Sequence, residues 1–245
     1  MKRVNGNHGH RALLFFIFSL LVGSLAAQDI QLHYDFGRNI YTGEEAGRSK
    51  VTVTLEQFKA DKWGSWYYFV DLDMSRKAFE SVYTEISREF NLGKESPFAA
   101  HVEYDGGASS KSGSFQHAAL IGPAYHGHSE DFSKTWSVQL LYKQYFKGAD
   151  YTHPYASAQL TGVWSTTFAH KKCTFSGFID FWRGEKANGH GCLVILTEPQ
   201  FWYNMTEHFS VGSEVEVSNN FIYNTNPTSD KTFFVNPTVA VKWNF

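Results

Sequence analysis

Acidic, aromatic and basic side chains recur at every second position through much of the chain, and they are the residues that could bind a solute. Aromatic rings can stack on flat heterocycles or on sugar faces. Carboxylates can accept hydrogen bonds from hydroxyl and amino groups. The combination suits a polar, neutral, aromatic solute better than an anion. The candidate residues are Glu56, Phe58, Tyr67, Phe69, Asp71, Lys143, Asp180, Glu198, Trp202, Glu214 and Glu216.

Two smaller groups could support other chemistry. Ser114 with His117, or His101, could act as nucleophile and base in a lipid-modifying enzyme. His126 and His128 could bind a transition metal. A serine and a histidine three residues apart are a common coincidence, however, and "YHGHSED" (125–131) is typical of a polar turn. Since no P-loop, zinc-finger or dinucleotide motif occurs, the sequence predicts no cofactor, no metal site and no catalytic residue.

The candidate residues lie on segments in which apolar and polar side chains alternate. "KVTVTLEQF" (50–58), "FSVGSEVEVSNNF" (209–221) and the terminal "TVAVKWNF" (238–245) show this pattern. A period of two is that of a β-strand, whose successive side chains point to opposite faces. Eleven turn-rich connections separate these segments, which predicts twelve strands. The segment 74–90 fits either a helix or a loop followed by a strand, and we favour the strand.

An even number of alternating strands, with aromatic residues at 17% of the chain, predicts an all-β fold: a twelve-stranded antiparallel up-and-down transmembrane β-barrel. In such a barrel the apolar rows face lipid and the polar rows face the lumen. Cys173 and Cys192 then begin successive strands at opposite ends of the barrel. This separation exceeds the reach of a disulfide, so two free thiols are predicted. The predicted outer connections are 37–49, 73–79, 105–114, 147–154, 184–191 and 224–231, and the predicted periplasmic ones are 59–65, 91–96, 126–134, 169–172 and 205–208.

Residues 1–27 have the features of a secretory signal peptide: basic residues, then an apolar run, then small residues. Residues 28–245 would form the barrel. A membrane anchor is the alternative, but the apolar run 12–23 is shorter than the ~20 residues that a spanning helix needs. Without residues 1–27 the formal net charge falls from −2 to −5 because only basic residues are lost. An acidic chain is not expected to bind nucleic acid.

The segment 55–72 resembles the nucleoside-specific outer-membrane channel family, the Tsx-type barrels. "YTEISREF" (83–90), "IGP" (121–123), "SGFIDFW" (176–182) and "VKWNF" (241–245) follow in a compatible order. The chain also resembles an uncharacterised family of outer-membrane barrels, a domain of unknown function within that group. The resemblance implies a monomeric barrel that passes nucleosides through a narrow lumen. The residues that carry it are Glu56, Phe58, Asp61, Lys62, Trp63, Tyr67, Phe69 and Asp71.

These features predict a channel for passive uptake of small polar solutes, foremost nucleosides, without enzymatic activity. The predicted location is the bacterial outer membrane, among lipid and lipopolysaccharide, with both termini periplasmic. The terminal Phe245 resembles the carboxy-terminal signal that the barrel assembly machinery reads. Two alternatives stay open: a plugged structural or adhesive barrel whose inward charges form a salt-bridge network, and a lipid-modifying barrel enzyme.

Overall fold

A computed structural model describes residues 28–75, 79–111, 113–148, 152–186 and 189–245, so the predicted signal peptide lies outside the described residues. The described chain is almost entirely β-structure. Its elements are β1 Gln28–Asp35, α1 Gly37–Ile40, β2 Val51–Asp61, β3 Gly64–Met74, β4 Phe79–Asn91, β5 Phe98–Ser109, β6 Gly113–Ser114, β7 Ala118–His128, β8 Lys134–Tyr145, β9 Tyr155–Phe168, β10 Cys173–Glu185, β11 Gly191–Thr197, β12 Gln200–Asn204, β13 Phe209–Asn219 and β14 Phe233–Asn244.

The strands form one closed antiparallel sheet of twelve spanning strands. Neighbours in sequence pair with each other, and β14 returns to pair with β1, which closes the barrel. The two-residue β6 pairs only with β5. β11 and β12 both pair with β10 and β13, so they are the halves of one spanning strand. The break falls at Glu198 and Pro199, where proline has no N–H to donate to the ladder. The predicted fold class is confirmed.

The connections at the two ends of the barrel differ in length. Both termini of the described barrel lie at one end, the terminal rim, where β1 begins and β14 ends. The connections at this rim are 62–63, 92–97, 129–133, 169–172 and 205–208. The opposite end, the distal rim, carries the four longest connections, 36–50, 110–117, 146–154 and 220–232, together with the shorter 75–78 and 186–190.

Several predicted connections are longer than the real ones because the ladder continues into them, and the two largest differences are at 126–134 and 59–65. The connection predicted at 126–134 shrinks to 129–133, since His126 pairs with Ser137 and His128 pairs with Thr135. The one predicted at 59–65 shrinks to 62–63, where Asp61 accepts hydrogen bonds from the backbone N–H groups of the turn. The segment 74–90 contains β4, which confirms the strand and not the helix.

The outer surface of the barrel is apolar. Aliphatic side chains such as Leu140, Ile121 and Val239 are exposed on the outward rows at mid-height. Aromatic side chains occupy the outward rows towards the terminal rim, where Phe90, Phe98, Tyr125, Trp136, Phe175, Phe201, Tyr203 and Trp243 are exposed. An apolar band bordered by aromatic rings is typical of a barrel surrounded by lipid. No helix among the described residues is both long and apolar enough to span a bilayer.

The two cysteines lie at opposite ends of the barrel. Cys173 begins β10 at the terminal rim, whereas Cys192 of β11 pairs with Gly184 near the distal end of β10. At ~3.3 Å per residue, the intervening stretch of β10 spans more than 30 Å. Both thiols are free, as predicted.

Candidate functional site

The inward rows bring most of the predicted residues into the bore of the barrel. The pairing of the strands shows which side chains face inward. On the inward rows of β2 and β3, Glu56 lies opposite Phe69 and Asp71 lies opposite Thr54. Electrostatic interactions across the bore support this inward orientation. The carboxylate of Glu198 on the β11–β12 strand is in electrostatic reach of Asp71 on β3 and of Glu85 on β4, which belong to the opposite wall.

A hydrogen-bonded chain crosses the inward rows of β1 to β3 towards the terminal rim. Gln31 Nε2 donates to Glu56 Oε2 at 2.9 Å and to Asp29 Oδ1 at 3.0 Å. Tyr67 also hydrogen-bonds to Glu56. His33 lies on the other side of Gln31, with Nε2 3.0 Å from Gln31 Oε1. The predicted residues Glu56 and Tyr67 are therefore joined through partners on β1 that the prediction did not include.

Trp202 fills part of the bore at the same level. Its side chain is fully buried, with 0% exposure, and its Nε1 donates to Gln200 Oε1 at 2.9 Å. Gln200 in turn donates to Glu214 Oε2 at 2.6 Å. Lys242 Nζ lies 4.1 Å from the centre of the indole ring, a cation–π contact, and the His33 ring meets its edge. The predicted residues Trp202 and Glu214 thus belong to one polar network lining the bore.

Lys143 is the centre of a second network, nearer the distal rim. Its Nζ is 3.0 Å from Asp105 Oδ2 and donates to Gln159 Oε1 at 2.9 Å. Gln159 donates to Thr161, whose hydroxyl donates to Asp180. The predicted residues Lys143 and Asp180 are therefore linked by two polar side chains from β9 rather than by direct contact.

Phe69 and Phe58 have different surroundings. The Phe69 ring lies between the rings of Tyr67 and Tyr83, with centroids 6.3 Å and 5.9 Å away. Phe58 stands at the terminal rim near the end of β2 and is 56% exposed. Phe58 therefore lies at the mouth of the bore, and its role in binding stays a prediction. Periodicity gives the face of a residue but not its depth.

A third network, at the distal rim, was missed by the sequence reasoning. The connection 36–50, here called the inward loop, brings Arg48 against the walls of the mouth. Arg48 Nη2 lies 2.8 Å from Asp35 Oδ2 and 2.9 Å from Glu216 Oε2, and Nη1 lies 3.9 Å from Glu45 Oε1. Glu216 was predicted as a bore residue, but nothing in its spacing shows that its partner comes from a loop 168 positions away.

The bore is rich in carboxylates. Its fixed positive charges on the described strands are Lys143 and Lys242, and the inward histidines are His33, His101 and His126. Such an interior disfavours anions and favours cations and neutral hydrogen-bond donors. The inward carboxylates are Asp29, Asp35, Glu56, Asp71, Asp73, Glu85, Glu89, Glu103, Asp105, Asp180, Glu198, Glu214 and Glu216.

The histidines considered as metal ligands do not converge on one point. His126 Nε2 pairs with Glu89 Oε2 at 3.0 Å, while the His128 ring stacks on Phe132. In the described part of the chain, one group of three carboxylates has oxygens within 4.8 Å of one another: Glu85, Glu103 and Asp105. Lys143 already neutralises part of this charge through Asp105.

The residues considered for nucleophilic catalysis do meet. Ser114 Oγ lies 2.6 Å from His117 Nε2, and the Tyr104 hydroxyl hydrogen-bonds to His117 Nδ1. Ser114 and Tyr104 are exposed beside the distal rim, and His117 is half-buried. His101, the other candidate base, is instead buried between Glu89 and Glu103 at 3.1 Å from each. Of the two candidate bases, His117 is therefore the one whose geometry supports a pair with Ser114, and His101 is not.

Comparison with known proteins identifies both a family and a fold. The family described as "Domain of unknown function (DUF5020)" matches residues 27–245. This match agrees with the second of the two resemblances seen in the sequence, whereas the likeness to the Tsx-type channels stays a prediction. No curated protein matches the chain.

Among solved structures, the NanC porin superposes with a TM-score of 0.58 over 90% of this chain and 100% of that chain, at 11% identity. The KdgM porin gives a TM-score of 0.49 over 90% of this chain and 99% of that chain, at 14% identity. LpxR from Salmonella typhimurium gives 0.49 over 90% and 100%, at 6% identity. At this identity, the likeness to NanC shows a shared barrel fold.

Proposed function

The chain belongs to the DUF5020 family, and we propose that it is a bacterial outer-membrane channel for the passive movement of small polar solutes. The observation that carries the proposal is the division between the two faces of most strands. Outward rows present exposed apolar and aromatic side chains, whereas inward rows present carboxylates, amides and hydroxyls. A closed barrel with this division offers lipid on one side and a polar path on the other.

The unequal connections support an orientation in the membrane. Barrels of this kind have short periplasmic turns and longer extracellular loops. The terminal rim has the short connections, so it is the periplasmic end and both termini are periplasmic. Phe245 then lies at the periplasmic interface, where the assembly machinery would read it. In this proposal the protein is a monomer surrounded by lipid and lipopolysaccharide.

The acidic bore narrows the solute class. Neutral or cationic solutes can approach Glu214, Glu56 and Asp71, whereas anions meet unfavourable charge. The Phe69 ring lies opposite Glu56 on the inward rows and could stack on a flat base, whereas the Trp202 ring is fully buried by its neighbours. Nucleosides combine a flat base with hydroxyl and amino groups, and they remain the solute that we expect first.

We expect a channel that prefers cations. In planar bilayers under a salt gradient, the reversal potential should have the sign of cation selectivity, and Glu214→Gln should reduce it. Glu130→Gln, which removes the same charge from an exposed turn, is the matched control and should change nothing. Liposome swelling should be faster with nucleosides than with nucleotides of the same base. Anion selectivity, or equal rates for both solutes, would contradict the proposed solute class.

The contact between Ser114 and His117 favours a second candidate function, hydrolysis of a lipid acyl ester. A serine hydroxyl that donates to an imidazole, itself oriented by a third group, is the arrangement of an activated nucleophile. Tyr104 supplies that third group on an outward row, within reach of the outer leaflet. If this function is real, a fluorophosphonate probe should label purified protein, and Ser114→Ala or His117→Ala should abolish labelling. Lack of labelling in the folded protein removes this candidate and leaves the channel.

A further inference from the structure

The inward loop, residues 36–50, is packed into the distal mouth of the barrel. Gly37 and Glu45 are buried, and the Tyr41 ring meets the edge of Phe234 on the inward row of β14. The connection 220–232 is hydrogen-bonded to the inward loop, because Thr225 donates its backbone N–H and its hydroxyl to the carbonyl of Glu44. Movement of this loop would therefore change the width of the mouth.

Glu45 and Asn236, at the base of the inward loop, are joined by one hydrogen bond, and each keeps one oxygen without a partner. The Glu45 side chain has 0% exposure, and Asn236 on β14 is equally buried. Asn236 Nδ2 donates to Glu45 Oε1 at 2.9 Å. The remaining oxygens, Glu45 Oε2 and Asn236 Oδ1, are both buried without a hydrogen-bond partner. Both lie within 2.7 Å of the position that a Cβ atom on Gly37 would take, so both border the same small space beside Gly37.

Two buried acceptors that border one space without a donor are unfavourable, because neither can donate to the other. A proton on Glu45 Oε2 removes the conflict, since the acid can then donate to Asn236 Oδ1. The carboxylic acid and the amide would be joined by two hydrogen bonds in a ring. We propose that Glu45 is a neutral acid paired in this way with Asn236, and that loss of its proton releases the inward loop from the mouth of the barrel.

Burial and two of the three charges next to Glu45 oppose its ionisation. Asp35 on β1 and Glu216 on β13 face it, with Arg48 of the same loop held between them. Lys231 lies over the Tyr41 ring, 4.9 Å from its centre. Burial raises the pKa of Glu45 above its ordinary 4.5; Glu216 and Asp35 add to this, while the hydrogen bond from Asn236 and the charge of Arg48 oppose it.

The sign of the pH effect follows from this raised pKa. The neutral acid stabilises the packed loop, so this contribution is complete below about pH 4.5. It is lost as the pH rises through the pKa of the buried acid. The loop should therefore be held in acid and released in alkali.

A spin label on the inward loop tests the proposal directly. Gly47 is exposed, and a Cβ atom added there meets nothing within 4 Å, so Gly47→Cys should be tolerated. Cys173 and Cys192 are replaced by serine to leave a single thiol. We expect the label to be immobile at about pH 5 and mobile at about pH 9. A mobility that does not change between these values would overturn the proposal.

Three variants test whether the Glu45–Asn236 pair causes the pH dependence of the label mobility. Glu45→Gln preserves both hydrogen bonds but has no proton to lose, so the label should stay immobile at both pH values. Glu44→Gln removes a neighbouring acid from the same loop and should behave like the parent. Gly37→Ala would bring a Cβ atom to 2.5 Å from Asn236 Oδ1 and should make the label mobile at both values. Parental pH dependence in Glu45→Gln would contradict the role of Glu45.

A conductance measurement links the pair to the proposed channel. The gating role rests on that function, whereas the label mobility does not. In planar bilayers, the unlabelled parent should conduct several times more at about pH 9 than at about pH 5, and Glu45→Gln should bring this ratio close to one. If the label mobility depends on pH but the protein does not conduct at either pH, the proposed role of the pair stands and the channel function is refuted. Conductance with the same pH ratio in the parent and in Glu45→Gln would retain the channel and refute the gate.

Discussion

Replacing Trp202 with alanine is expected to raise the single-channel conductance several-fold. The indole has no exposed surface, and it fills the bore between Lys242, His33 and Gln200. Truncation leaves a cavity that joins the polar bore and fills with water, so the cross-section of the bore that is open to ions increases. The change also removes packing worth about 3–5 kcal/mol, so folding must be checked separately.

The conductance of Trp202→Ala is best compared with that of Trp136→Ala. Trp136 is the same residue type on an outward row near the same rim, and it is 44% exposed to the lipid side. Its loss should leave the conductance unchanged. Both variants should first be shown to be folded by the mobility shift between heated and unheated samples on a gel. An unchanged conductance in folded Trp202→Ala would mean that the bore is obstructed at another level.

The second large effect is expected from Arg48→Met, which leaves Asp35 and Glu216 without the cation they share. Removing one partner of a buried ion pair costs about 3–5 kcal/mol, and since Arg48 is partly exposed we expect about 2–3 kcal/mol here. This cost acts on the packed position of the inward loop. The spin label at residue 47 should therefore become mobile even in acid.

Arg38 provides the control for this variant. It is an exposed arginine in the same loop, so Arg38→Met removes the same charge without removing a partner from the buried acids. A second test adds Glu216→Gln to Arg48→Met, which lowers the repulsion that the first change exposes. The double variant should recover part of the immobility in acid. Equal mobility in Arg38→Met and Arg48→Met would show that the ion pairs do not hold the loop.

The sequence is informative about the barrel because the bilayer imposes a simple pattern. Lipid requires apolar outward residues and the bore accepts polar ones, so alternation reveals each strand and its phase. Lys242 illustrates this: its position in "TVAVKWNF" predicts an inward side chain, and it lies over Trp202 inside the bore. Alternation does not reveal where a ladder stops, since His126 and His128 look like turn residues yet extend β7.

The partners of the inward residues were much less accessible from the sequence. Glu45 and Arg48 lie in a loop without periodicity, and their partners Asp35, Glu216 and Asn236 come from three different strands. Only the closed geometry brings them together. The interruption at Glu198 was also hidden, because the segments on either side of Pro199 keep the alternation of one continuous strand.

The seam between β1 and β14 has a consequence for how the chain folds. Asp29 pairs with Asn244, which lies nearly the whole barrel sequence away, whereas most other strands pair with their neighbour in sequence. Hairpins can form early, but the pairing of β1 with β14 has the largest loop-closure entropy cost and therefore forms late. Until it forms, both edge strands expose unpaired backbone that can associate with other chains. The yield of folded protein should therefore depend on the rate of this last closure more than on the stability of the finished barrel.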